Sequence, residues 1–207
     1  MKKLIAASIA AMAMTVVAET TPVMVSLVTP VQAPSSDYDV TGFRFSLIYG
    51  QCHEFTGLDL GIANRSASDF TGLAVGGVNI ANERLIGAQV GLINWNDNPS
   101  DTWEERSIGL QLGLISYSTS FCGIQDGILT ISSHYIYGAQ GGYVNFARDV
   151  RGAQIGYLNI ATGRVKGCQV GLLNYTGTME CGLQVGIINI IANEGWFPVL
   201  PIVNGNF

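Results

Sequence analysis

One phrase recurs through this chain at a period too short to fold alone. Gly-Ala-Gln-Ile-Gly-Tyr-Leu-Asn at Gly152 returns as Gly-Cys-Gln-Val-Gly-Leu-Leu-Asn at Gly167, fifteen residues on. Copies start at Gly57, Gly72, Gly87, Gly109, Gly123, Gly138, Gly152, Gly167 and Gly182, in steps of 14 or 15 except for the 22 residues from Gly87 to Gly109. Weaker copies keep the phase at Gly42 and Phe197. Fifteen residues bury no core by themselves, so neighbouring copies must stack on one another.

Each position of the phrase carries its own constraint. The first and fifth are Gly in all nine main copies, the third is usually Gln and the eighth mostly Asn. Positions two, four and six alternate as Ala88, Val90 and Leu92, a period of two that reads as a strand with this set facing the core. Gly at two positions per copy would each cost a helix roughly 1 kcal/mol against Ala, so the chain is all-β. A further apolar column lies two residues before each Gly, as at Phe70, Leu85, Phe121, Ile136, Val150 and Val165.

These features predict a β-solenoid of about ten 15-residue coils with a C-terminal cap. Equivalent residues of successive coils lie about 4.8 Å apart. Gln then stands above Gln and Asn above Asn, and side-chain amides, each both donor and acceptor, form hydrogen-bonded columns. Gly and Asn also suit left-handed corners. Positions seven and nine are apolar too (Ile93 and Trp95, Leu158 and Ile160), with the opposite parity. Either the chain bends near the fifth-position Gly, or both faces are covered. The second option leads to the alternative fold, an outer-membrane β-barrel of antiparallel strands, which the terminal Phe207 also suits.

The first residues read as an address. Lys2 and Lys3 precede an apolar stretch from Leu4 to Ala18, and Val16-Val17-Ala18 has the small-residue pattern of a cleavage site. The stretch is shorter than the ~20 residues of a retained membrane span. The expected organisation is a signal peptide over 1–18, a flexible Thr/Pro/Ser-rich leader over 19–41, the repeat array over 42–195 and a capping repeat over 196–207. In that cap Pro198 and Pro201 discourage further strand pairing, while Trp196 and Phe197 cover the column ending at Leu183, Val185 and Ile187.

On these residues the chain resembles a family of uncharacterised bacterial surface-repeat proteins built from G-x-Q-x-G-[LIV]-[LIV]-N units, often after a signal peptide. The likeness covers residues 42–207. It implies export and display at the cell envelope, outer membrane or cell surface, and brings no activity or catalytic residues with it. The chain departs from the pattern at Asp59 and Ala74 in place of Gln, and at Ser116 and Thr130 in place of Asn. Ladder continuity is in question at those positions.

Few residues suggest chemistry. Ten Lys plus Arg are scattered in a chain of net charge −5, without the basic stripe that nucleic-acid binding requires. Cys52, Cys122, Cys168 and Cys181 lack metal-knuckle spacing, although export permits one disulfide. The long step holds the insertion "NWNDNPSDTWEERS", where Asp97, Asp101, Glu104 and Glu105 gather oxygen ligands without the spacing of an EF-hand. With Trp95 and Trp103 it is the best contact candidate in the sequence. Asp126, at a fourth position, requires a local kink to escape the core. His53 and His134 are too many copies apart to meet. No catalytic residue, metal site or cofactor is expected. The function expected is a non-enzymatic envelope protein presenting an elongated β-surface for adhesion or structural packing, with envelope components or like subunits as partner classes. The alternatives are a barrel pore or scaffold, or a polysaccharide-active β-helix enzyme, which needs clustered carboxylates.

Overall fold

A computed structural model describes residues 18–100 and 105–207. The expected signal segment, except Ala18, lies outside the described residues. The chain is a β-solenoid. Its elements are β1 (Thr20–Val28), β2 (Val31–Ala33), β3 (Asp39–Cys52), β4 (Phe55–Ser66), β5 (Phe70–Ala81), β6 (Leu85–Asn96), β7 (Ser107–Leu112), β8 (Ile115–Asn193) and β9 (Val199–Asn206). β8 is one extended path that winds through successive coils. From β1 through β7, successive coils pair in parallel, β2 apart, and like meets like: Gly57 with Gly72, Leu58 with Leu73, Asn64 with Asn79. That register is a solenoid's and differs from the antiparallel order of a membrane barrel. The turns are slightly fewer than the ten expected.

The interior reverses the expected sidedness. Positions two, four and six point outward, as Leu58, Ile62, Val75 and Leu92 show by their exposure. The buried set is the Gln of position three, the Asn of position eight, the small residue of position ten and the apolar residue two before each Gly. Phe55, Phe70, Leu85, Phe121, Ile136, Val150 and Val165 thus form the apolar column of the core, with Phe55 stacked on Phe70 at 5.1 Å. Polar side chains occupy much of the rest, and most find a partner along the axis or on a nearby carbonyl, although the Ser46 and Ser120 hydroxyls have none. The parity conflict is resolved by a bend at positions five to seven. Positions six and seven both face out, as Ile187 and Ile188 do, and position eight turns in again.

Glycine permits the close approach of coils at two places. Gly152 has φ 136°, and a Cβ there would lie 2.0 Å from the carbonyl oxygen of Gly138. At the fifth position Gly156 needs no positive φ, but a Cβ would meet the Gly142 carbonyl oxygen at 2.0 Å and the Asn145 amide at 2.6 Å. The strained backbone therefore belongs to the first position and steric closeness to the fifth. Among the described residues Asn takes no part in left-handed corners, since the positive-φ non-glycine residues there are Glu194 and Ile202.

Both ends are closed by chain reversal. Residues 19–41 were expected to be a flexible leader, but β1 pairs parallel with β3 and β2 folds back antiparallel on β1. The leader is held because Gln32 plugs the end: its amide donates to the Gln51 carbonyl at 2.8 Å, and its oxygen accepts from Ser26 and Thr29. At the other end β9 runs antiparallel to the last coil, pairing Gly182 with Asn206 and Ile190 with Val199. The apparent phase of the last copy is therefore not a parallel register. Trp196 packs against Phe207 with the rings tilted at 49° and does not cover Val185 or Ile187, which remain exposed.

Replacing Gly156 with Val should lower stability by on the order of 1–3 kcal/mol, whereas Thr162→Val, at an exposed turn position, should be near neutral. Urea midpoints of the two variants measure the difference, and equal midpoints would contradict the close-approach assignment.

Candidate functional site

The interior amides form two ladders with opposite polarity. From Gln111 on, each Gln of the column donates to the Gln of the preceding coil: Gln111 to Gln89 at 2.8 Å, Gln125 to Gln111 at 2.7 Å, and so on to Gln184 on Gln169 at 2.7 Å. The second N–H of most Gln side chains crosses the coil to a position-nine carbonyl, as from Gln169 to Tyr175 at 3.2 Å. Asn donates the other way, Asn64 to Asn79 and Asn145 to Asn159. Directional ladders leave an acceptor over at opposite ends, and these are Gln184 Oε1 and Asn64 Oδ1. Thr130 continues the Asn column by donating to Asn145 at 2.6 Å, whereas Ser116 breaks it and Asn94 donates instead to the Leu112 carbonyl.

An ion pair replaces the Gln ladder near the first coils. Arg44 and Asp59 occupy position three of neighbouring coils, both fully buried, with N–H···O distances of 2.8 and 2.5 Å. Arg44 also donates to the Arg65 carbonyl and lies 5.2 Å above the Phe55 ring. Burial pushes the Asp59 carboxyl above the usual carboxylate range, and the two Arg44 donors pull against that shift. Burial also works against the charge on Arg44, but Asp59 keeps its pKa above the ordinary value. Burial raises the neighbouring Cys52 thiol to about 11, so it is inert as a nucleophile. The cysteines are all free thiols.

The insertion does not assemble a ligand site in the described residues. Trp95 stacks on Tyr117 at 4.0 Å and stays partly exposed, while Asp97 accepts from Thr119 at 3.1 Å. Asp101, Trp103 and Glu104 lie outside the described residues. Among those described, no three His, Cys, Asp or Glu side chains gather as a metal site. His53 instead meets Asp39 at 2.8 Å. Asp126 is exposed without any kink, because its whole column faces out.

The outward columns are what the sequence reading missed. Positions four and six make two ridges with the fifth-position glycines as a floor between them. Over the later coils this becomes an open trough of about 840 Å³, walled by Ile155, Val170 and Val185 on one side and Tyr157, Leu172 and Ile187 on the other. Position six is the prow of the bend, with Ile187 at 65% exposure, Ile62 at 61% and Leu92 at 59%. Charge is segregated from it. Across positions four to eight of the main copies Asp126 is the sole charged side chain, while Asp69, Glu83 and Arg84, between strands, and Arg148, Asp149 and Arg164, at the equivalent places along β8, sit at the opposite edge. An apolar surface this long is far outside the scattered exposure of an ordinary surface. The signal available in the sequence was the tolerance of Asp126, Gly77 and Gly141 in columns assigned to the core.

No family model, no curated protein and no solved structure matches the chain.

Because Arg44 and Asp59 satisfy each other in a dry interior, Arg44→Gln or Asp59→Gln alone should each cost about 3–5 kcal/mol. The double change R44Q/D59Q should recover most of that loss by continuing the amide column. Denaturant midpoints of the four proteins test this, and a double variant no more stable than the singles would contradict it.

Proposed function

We propose that this chain is an exported, non-enzymatic repeat protein of the cell envelope or surface, and that its elongated β-surface serves adhesion or structural packing. The observation that carries the reading is the outward apolar ridge, kept in register coil after coil and free of charge apart from Asp126. A protein that only needed to fold would gain nothing from exposing Leu47, Ile62, Leu92, Tyr157, Leu172 and Ile187 along one edge. The buried polar side chains are spent on one another in ladders, which leaves no constellation aimed at a substrate. Export is supported by the basic, then apolar, then small-residue order of residues 1–18, and by the resemblance to envelope-displayed repeat proteins. Cleavage after Ala18 is compatible with the fold, since Glu19 becomes the first residue and still accepts from the Asp39 amide at 2.9 Å. Envelope components and like subunits are the partner classes such a surface meets.

Fractionation of cells producing the full chain tests the reading. The protein should be recovered outside the cytoplasm, beginning at Glu19, and should bind an apolar fluorescent probe while folded. Retention in the cytoplasm with Met1 intact, or a folded surface that does not take up the probe, would overturn it.

A further inference from the structure

We infer that the apolar edge is a membrane-surface anchor: the solenoid lies along a lipid leaflet with positions four, six and seven dipped into the acyl boundary and position nine at the level of the headgroups. The inference rests on the envelope reading above and names the occupant of the surface. Four features of the molecule point to fluid hydrocarbon and away from a folded partner.

The first is shape. Apolar side chains splay from both flanks of the bend, Ile155 and Ile187 on one, Ile115 and Ile188 on the other. A flat partner, such as the same face of a second copy, covers one flank and leaves the other wet. Acyl chains cover both.

The second is backbone chemistry. Parallel pairing in register runs into the bend and resumes directly after position six, as Gly61 with Gly76 and Ala63 with Val78, and where a bend leaves the ladder its position-six backbone is still bonded between coils, Leu114 N–H to the Leu92 carbonyl and Ile128 N–H to the Leu114 carbonyl, both at 2.9 Å. A segment whose N–H and C=O groups are already paired enters an apolar medium without the desolvation cost that bars loops from it.

The third is the distribution of charge and aromatic rings. The edge carries Asp126 alone, set back at position four, and charged turns occupy the far side. Between them, at position nine, lie Trp95 and Tyr117, stacked on each other, and Tyr175. Amphipathic rings at that level suit the headgroup zone, and a shallow insertion of roughly 5–10 Å is the depth of an interfacial element.

The fourth is length. Strand stacking at ~4.8 Å carries the ridge some 40 Å along the axis, from the coil of Gly42 to that of Gly182. One side chain per coil is a weak contact, and a row of them acts together. Attraction here is apolar, because a chain of net charge −5 gains nothing from anionic headgroups.

The test uses the chain from Glu19 onward with phosphatidylcholine vesicles, and cosedimentation as the readout. Binding should survive molar salt and be unchanged by anionic lipid. Leu172→Asp with Ile187→Asp should reduce partitioning at least about tenfold while leaving the thermal transition in place, since both side chains are exposed in the folded chain. Arg164→Glu, on the opposite edge, should bind as the parent does. In a background with Trp103 and Trp196 changed to Phe, brominated acyl chains should quench Trp95. Absence of vesicle binding, binding reversed by salt, or edge variants that bind as the parent does would each overturn the inference. A protein that stays off vesicles but self-associates through the same edge removes the lipid assignment and leaves the packing reading standing. One that does neither, with edge variants matching the parent in every assay, removes both.

Discussion

The amide column inside the coil is the interaction on which the rest of this structure depends. A Gln buried without partners would cost on the order of 1–3 kcal/mol, and a Gln between two others, with its spare N–H on a carbonyl across the coil, costs nothing of that kind. The arrangement works only if successive coils hold register within a few tenths of an ångström. That demand fixes the period, excludes side chains at the two glycine positions, and leaves room beside the ladders for one apolar column and one small residue per coil. The ladder also sets polarity along the axis, because every Gln from Gln111 to Gln184 in the column donates toward the first coils and every laddered Asn toward the last.

Filling the interior with amides decides the exterior. The chain is nearly half apolar, at 48%, and its core holds only part of that content. The remainder must face outward, and it does so on the edge farthest from the charged turns. Backbone, core and surface are therefore linked: parallel pairing satisfies the main chain, the ladders satisfy the interior, and the exposed ridge becomes free to serve an interaction. At the two ends the periodic solution fails, and individual devices replace it. Gln32 and the Arg44–Asp59 pair close the first coils, and antiparallel β9 closes the last.

The period, the all-β class and the ladders were legible in the sequence because a repeat forces equivalent residues into equivalent places. Sidedness was not. Two apolar columns of opposite parity compete for one narrow interior, and the usual rule that alternating apolar residues face inward chose wrongly for Ala88, Val90 and Leu92. The column of Phe70 and Leu85, which shares parity with Gln89, is the buried one. Asp126 and Gly141 in the fourth position carried that information, since no interior column accepts a lone carboxylate and a gap together. The leader was illegible for another reason: its order comes from Gln32 reaching Gln51, a contact no local composition announces. Of the expected contact residues that are described, Trp95 lies on the flank of the apolar edge and Asp97 is tied to Thr119.

The central claim, amides in and aliphatic side chains out, is tested most directly by side-chain amide exchange measured by nuclear magnetic resonance. The carboxamide protons of Gln140, Gln154 and Gln169 should exchange far more slowly than free amides, while the methyl groups of Ile155 and Leu172 should be strongly broadened by a water-soluble paramagnetic agent. Carboxamides exchanging at free rates, with those methyl groups sheltered from the agent, would mean that the coil is turned the other way and would contradict the account.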